Sequence, residues 1–386
     1  MKASEARILT THMGSLPRSD VLAELLIAMD NEEAIDEARL AAEVEAALAH
    51  VVDAQAEAGI DVANDGEQPR VGFQTYVTSR MTGFGGAGER PIPEEMERFP
   101  QWAAMIAKRR PARARMYNAP AAIAEVAYED LSGVRAECEG FRKALAGHQG
   151  DFAECFMTAA SPGIVTTTMM NHYYDSHEDY LMAVARGLNK ELRYIAEAGF
   201  LLQIDAPDLA MERSTFFKRQ SLKEFQEAVA LHVAAINVAL EGIPPEQARL
   251  HVCWGNRDGP HVTDVALDDI LPLILEAKVG GFCLPFANPR HAHEVDLLAR
   301  MPLPKEMLLI AGVIESTSNY VEHPEVVAER LERAVAAIGE KERVIAGVDC
   351  GFGTFAGYSL VAEDVVWEKL KALSGGAAIA SKRLWG

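Results

Sequence analysis

RLHVCWGN (residues 249–256) is a short apolar run that breaks into a Gly-Asn turn, and seven other stretches of the chain repeat its pattern. They are ILTTHMGS (8–15), IDVANDGE (60–67), ECFMTAASPG (154–163), FLLQIDAP (200–207), GGFCLPFAN (280–288), LLIAGVIES (308–316) and VIAGVDCG (344–351). Amphipathic segments rich in Ala, Glu and Leu separate them, the alternation expected of βα units around a parallel sheet. The stretch 32–59, for example, reads as one or two helices with an apolar stripe and a terminal glycine. Eight such runs match the count of a closed (β/α)8 TIM barrel, the α/β fold class expected here. Residues 68–150, between the second and third runs, read as an excursion over the barrel mouth. They contain GFGGAGERPIP (83–93), a basic KRRPARAR (108–115) and an apolar NAPAAIAEVAY (118–128).

The 386 residues fit a single barrel domain spanning 1–386. Composition is that of a globular chain with a large core, 49% hydrophobic and 24% charged. With 37 Lys and Arg against 57 Asp and Glu, the formal charge of −20 repels nucleic acid and anionic membrane surfaces. A small-molecule substrate is therefore expected. No basic segment leads into an apolar run at the N-terminus and no apolar stretch nears 18 residues, which predicts a cytoplasmic protein. Five cysteines at irregular spacing fit reduced thiols better than a disulfide framework.

In the quoted run, His251 and Cys253 stand two residues apart, and on a strand such positions project to the same face. The pair alone is weak, since a buried His beside a buried Cys is common. Cys350, at the end of the last run, adds a third donor on a strand that can share the same lumen. One His and two Cys suit zinc. Gly351 and Gly353 allow a tight turn after Cys350.

Two apolar runs end in a carboxylate, Glu67 and Asp205, which the barrel would present at its mouth to hold an ammonium group or steer a proton. Two plainer roles compete: Asp205 as a helix cap, and Glu67 in a rim salt bridge with Arg70. The Gly-Ser turn at Ser15 can cradle a carboxylate, sulfonate or phosphate, or be only a turn. His291 and His293 follow a strand end and read as supporting or surface residues, not ligands.

Taken in order, TTHMGSLPR, DGEQPR, LLQIDAPDLAM, RLHVCWGN, FANPRHAHE, GVIESTSNYVEHPE and VIAGVDCGFGTF resemble the C-terminal barrel of cobalamin-independent methionine synthase, and more closely its short stand-alone relatives. Those relatives include the epoxyalkane:coenzyme M transferases. The resemblance implies zinc held by His251, Cys253 and Cys350. It puts Ser15, Glu67 and Asp205 where methionine synthase holds the amino-acid part of homocysteine, with Glu67 and Asp205 as catalytic residues. Only the catalytic half of the long enzyme is represented. One position departs: relatives carry a glutamate, the fourth zinc ligand, in a segment like SFEAANPR, where this chain has Pro285. Cys283 is on the same strand face, but two residues of rise put it roughly 6.6 Å away.

The expected activity is therefore zinc-dependent S-methyl or S-alkyl transfer to a small thiol resembling homocysteine. A methylfolate or a methylcorrinoid protein would be the donor. Epoxide opening by coenzyme M is the alternative. A porphyrinogen decarboxylase-like barrel and a non-catalytic zinc or thiol binder are further ones.

Overall fold

The computed structural model describes residues 1–109, 115 and 117–386; residues 110–114 of the basic run 108–115 lie outside the described residues. Among the described residues nine strands are formed: β1 Val62–Asn64, β2 Thr82–Gly85, β3 Ala121–Ala127, β4 Glu154–Ala160, β5 Leu201–Asp205, β6 Ala248–His251, β7 Gly281–Pro285, β8 Leu308–Ile314 and β9 Val344–Val348. Seven of them form one parallel sheet in the order β1-β4-β5-β6-β7-β8-β9, while β2 and β3 pair antiparallel on their own. The fold is the TIM-type α/β barrel expected from the eight runs.

The eighth stave is the first run, and it is stitched in by single bridges in place of a ladder. Thr10 bridges Ala346 and Thr11 bridges Val62, both parallel, so the segment joins β9 to β1. A side chain accounts for the gap. Asp61 Oδ2 accepts the Thr10 amide at 2.9 Å and its hydroxyl at 3.0 Å, and Asp61 is itself clamped by Arg7 at 2.5 and 2.6 Å. An amide engaged by a carboxylate is lost to the ladder.

Helix Glu37–Glu57 forms as one element with Asp36 capping the Arg39 amide. Helix Leu222–Ala239 starts with a reciprocal capping box, Ser221 and Glu224 each bonding the other's backbone N–H. Between β1 and β4 run the β2–β3 hairpin and helices Glu94–Arg98 and Pro100–Arg109, followed by helix Ser132–Gly147, which packs against helices Glu37–Glu57 and His177–Glu197 as a crossover into β4. A buried polar cluster ties this stretch down. Arg70 and Arg80 both bond Glu137, and Glu191 accepts the hydroxyls of Tyr76 and Tyr128. Removing one partner from such a cluster leaves an uncompensated buried charge, the costly way to break it.

Register sets the levels of the lumen. Thr158, Gln203, Arg249 and Gly281 are partners across β4 to β7, and Ala160, Asp205, His251 and Cys283 form the level above. Paired residues of parallel strands share a face, so the strand ends converge on the C-terminal mouth. No helix among the described residues is long and apolar enough to cross a membrane.

Candidate metal and thiol site

His251 ends β6, Cys253 follows two residues later, and Cys350 follows β9 by two. Their ligand atoms lie within 4.8 Å of one another. Both ring nitrogens of His251 are buried without a hydrogen-bond partner, an arrangement that costs about 1–3 kcal/mol per group unless something binds there. The hydrogen bond from Cys350 pulls the Cys253 thiol well below its usual range, against burial and with help from His251, while Cys350 is pushed up. Burial alone would lower His251, yet the neighbouring Cys253 sulfur lifts it overall. Two thiols and an unpartnered imidazole in one buried corner are a donor set for a soft or borderline cation.

Among the described residues no fourth donor completes the set. Pro285 does reach this corner, lining a cavity of about 20 Å³ together with Cys253, Cys350 and Asp349. Asp349 is committed elsewhere, its two oxygens accepting the amides of Ala287 (2.9 Å) and Asn288 (2.6 Å). Cys283 faces the level below, its sulfur 3.9 Å from Gln203 Oε1.

Ser15, Glu67, Asp205, His251, Cys253 and Cys350 all line one cavity of about 110 Å³ at the mouth. Glu67 sits in the left-handed region at φ +54, a strained placement for a side chain that size. Its Oε1 accepts from Thr158 Oγ1 at 2.9 Å, and Oε2 is buried with no partner. Burial first, and then Asp205, raise this carboxyl to about 8. Asp205 Oδ1 accepts from Gln203 Nε2 at 2.8 Å, and burial raises this acid to about 6, with His251 pulling the other way.

The plainer roles for the two carboxylates fail on geometry. The turn Pro207–Leu209 after β5 is capped by Ala206 with no side-chain bond, so Asp205 caps nothing there. Arg70 turns inward to Glu137 (2.8 Å) and Thr158, giving Glu67 only a backbone contact. Gly351 matters through close approach and not through an unusual turn: a Cβ there would stand 2.0 Å from Ser15 Oγ.

Sequence reasoning missed the cavity's outer wall. Phe73, Arg90, Met96 and Tyr117 come from the long stretch between β1 and β4, and Met211 and Phe355 from loops after β5 and β9. Arg90 is buried and paired with Glu212. Nothing in their local sequence marks them, because a long insertion reveals its landing place only in three dimensions. His291 is buried and stacked on Trp254 with ring centroids 4.0 Å apart, bonding Glu294 (2.8 Å) and Asp264 (2.9 Å). His261, Asp264 and His291 form a second close group, but each imidazole nitrogen in it already has a partner.

The chain is similar along nearly its whole length to proteins named methionine synthase. That of Saccharolobus solfataricus is 24% identical over 97% of this chain and 95% of its own. That of Thermococcus kodakarensis is 26% identical over 85% and 80%. The chain is a relative of these methionine synthases. The B12-independent methionine synthase from Shewanella sp. W3-18-1, solved in complex with selenomethionine, superposes with a TM-score of 0.74 at 21% identity, covering 98% of this chain and 99% of the other. A putative B12-independent enzyme from Listeria monocytogenes gives 0.66 at 17% identity and 99% coverage of both. These two likenesses establish the shared fold. No protein-family model matches the chain.

Proposed function

We propose that this relative of the methionine synthases is a zinc-dependent methyl or alkyl transferase whose acceptor is a small amino-acid thiol such as homocysteine. The observation that carries the reading is His251, whose two ring nitrogens are buried and unpartnered beside Cys253 and Cys350. That donor set fits zinc. His251, Cys253 and Cys350 would hold it, and bound zinc supplies the Lewis acidity that keeps a thiol ionised near neutral pH, where a free thiol is only a few per cent thiolate.

The chain's own residues supply the rest. Glu67 and Asp205 bind and orient the acceptor's ammonium group, the unpartnered Glu67 Oε2 taking one of its hydrogens. Ser15, packed against Gly351, meets the carboxylate end. Phe73, Met96, Met211 and Phe355 form an apolar wall that excludes water from the approach of the alkyl donor. Fixing the two reactants is the main contribution such a site makes. The donor is a methylfolate or a methylcorrinoid protein.

Pro285 favours one alternative enough to test it. Without the relatives' glutamate, the site suits a chemistry other than methionine synthesis, and epoxide opening by coenzyme M needs no methyl donor. Metal analysis followed by a panel of homocysteine, coenzyme M and cysteine against methyl and epoxide donors separates the readings. Turnover of homocysteine with a methyl donor supports the first, and turnover of coenzyme M with an epoxide alone overturns it. A second expectation concerns the metal corner: a crystal structure of the zinc form without substrate should show water, buffer or an added thiol at the fourth position. Coordination by Cys283 would instead make the site closed and structural.

A further inference from the structure

Each carboxylate of the acceptor pocket is held by one side chain, and each of those side chains is aimed by a buried arginine. Thr158 Oγ1 donates to Glu67 Oε1 at 2.9 Å while accepting from Arg70 Nη1 at 3.1 Å. A hydroxyl has one hydrogen, so a guanidinium on its lone pair leaves that hydrogen to the carboxylate. Arg70 is fixed by Glu137 at 2.8 Å and by the Thr158 carbonyl at 2.9 Å, with Tyr76 below at 4.2 Å.

The second arm has the same logic. Gln203 Nε2 donates to Asp205 Oδ1 at 2.8 Å and to Met13 O at 3.2 Å, and Gln203 Oε1 accepts from Arg249 Nε at 2.9 Å. Arginine only donates, so the amide cannot turn over without placing its NH2 against a cation. Arg249 lies 3.8 Å over the Phe156 ring and bonds Thr11 Oγ1 and His12 O; none of these hydrogen bonds goes to a carboxylate. Gly14, at φ +98, leaves the room the first arm needs: a Cβ there would stand 2.4 Å from Thr158 Cγ2 and 2.8 Å from Glu67 Oε1. Glu67 and Asp205 line the cavity, and none of the four residues behind them does.

We propose that Thr158 and Gln203, keyed by Arg70 and Arg249, are positioning residues that each occupy one carboxylate oxygen and so present the other to the ammonium group of an amino-acid thiol. The inference rests on the acceptor reading above. It assigns selectivity for the amino group to side chains that never touch the substrate. The relay also accounts for an arginine in the barrel lumen: Arg249 serves Asp205 through Gln203, not by direct pairing.

The test is calorimetric titration of the zinc-loaded protein with homocysteine and with 4-mercaptobutanoate, which keeps the thiol and carboxylate and lacks the amine. The quantity read is the ratio of the two affinities. Thr158→Val and Gln203→Met should each reduce the wild-type preference for homocysteine by about fivefold to tenfold, the net worth of one buried hydrogen bond. Affinity for 4-mercaptobutanoate and zinc content should stay at the wild-type level, and Thr158→Ser should restore the preference. Unchanged preference in both variants overturns the proposal, as does an equal loss of affinity for both ligands, the mark of a merely structural role. A wild-type protein with no preference for the amine overturns the acceptor reading itself, and the proposal with it.

Discussion

Serine at position 253 or 350 should strip most of the zinc, taking the protein from about one metal per chain to a small fraction after dialysis against a mild chelator. A thiolate is a soft, strong ligand at neutral pH, whereas a serine hydroxyl stays protonated and binds zinc poorly. The corner offers three donors and no fourth among the described residues, so each substitution leaves only two protein ligands. Structural zinc sites in zinc-finger peptides rest on roughly 10–16 kcal/mol of binding free energy, and losing several kcal/mol of such a total with one thiolate weakens the affinity by about a hundredfold or more, enough for a chelator to win the metal. Cys283→Ser is the control. Its sulfur faces Gln203 on the level below, so that variant should keep its metal. Full zinc retention by both the 253 and 350 variants would remove the site from consideration.

Neutralising the acceptor carboxylates should act on substrate, not on metal. Glu67→Gln and Asp205→Asn should each raise the KM for homocysteine about tenfold to a hundredfold, corresponding to about 1.5–3 kcal/mol for a charged hydrogen bond. Zinc content should be untouched, since neither residue belongs to the donor group. Coenzyme M carries a sulfonate and no ammonium, so the same variants should leave its binding unchanged or tighten it by removing repulsion. Measured with both thiols, the two variants therefore report which acceptor the pocket is built for. Variants that change the response to neither thiol would refute the assignment of the pocket.

Much of the architecture was legible because strands carry simple arithmetic. The period of two that relates His251 to Cys253 also relates Gln203 to Asp205 and Arg249 to His251, and in each case both members face the lumen. The same rule would have pointed to Gln203 and Arg249. Neither stands out in the sequence, because a glutamine and an arginine do not announce chemistry until the register sets them side by side. The first run reads as a full strand, since nothing in ILTTHMGS reveals that Asp61, far along the chain, takes the Thr10 amide. The proposed Glu67–Arg70 bridge failed for a related reason: Glu137, on a distant helix, competes for the guanidinium with two oxygens at once.

The first stave closes the rim by a seam of a different kind from the ladders beside it. The two segments that bring His251, Cys253 and Cys350 together extend from β6 and β9, each laddered to a neighbouring strand. Met13 and Ser15 follow the bridges at Thr10 and Thr11, and their backbone is tied by contacts of another kind: Ser15 O accepts the amides of Phe352 and Gly353, Leu16 N donates to Gly66 O, and Met13 O accepts from Gln203 Nε2. The barrel thus closes like a hoop with a laced seam. The lacing at Ser15 runs to the turn that follows Cys350, so the acceptor side and the metal side of the mouth are fastened to each other.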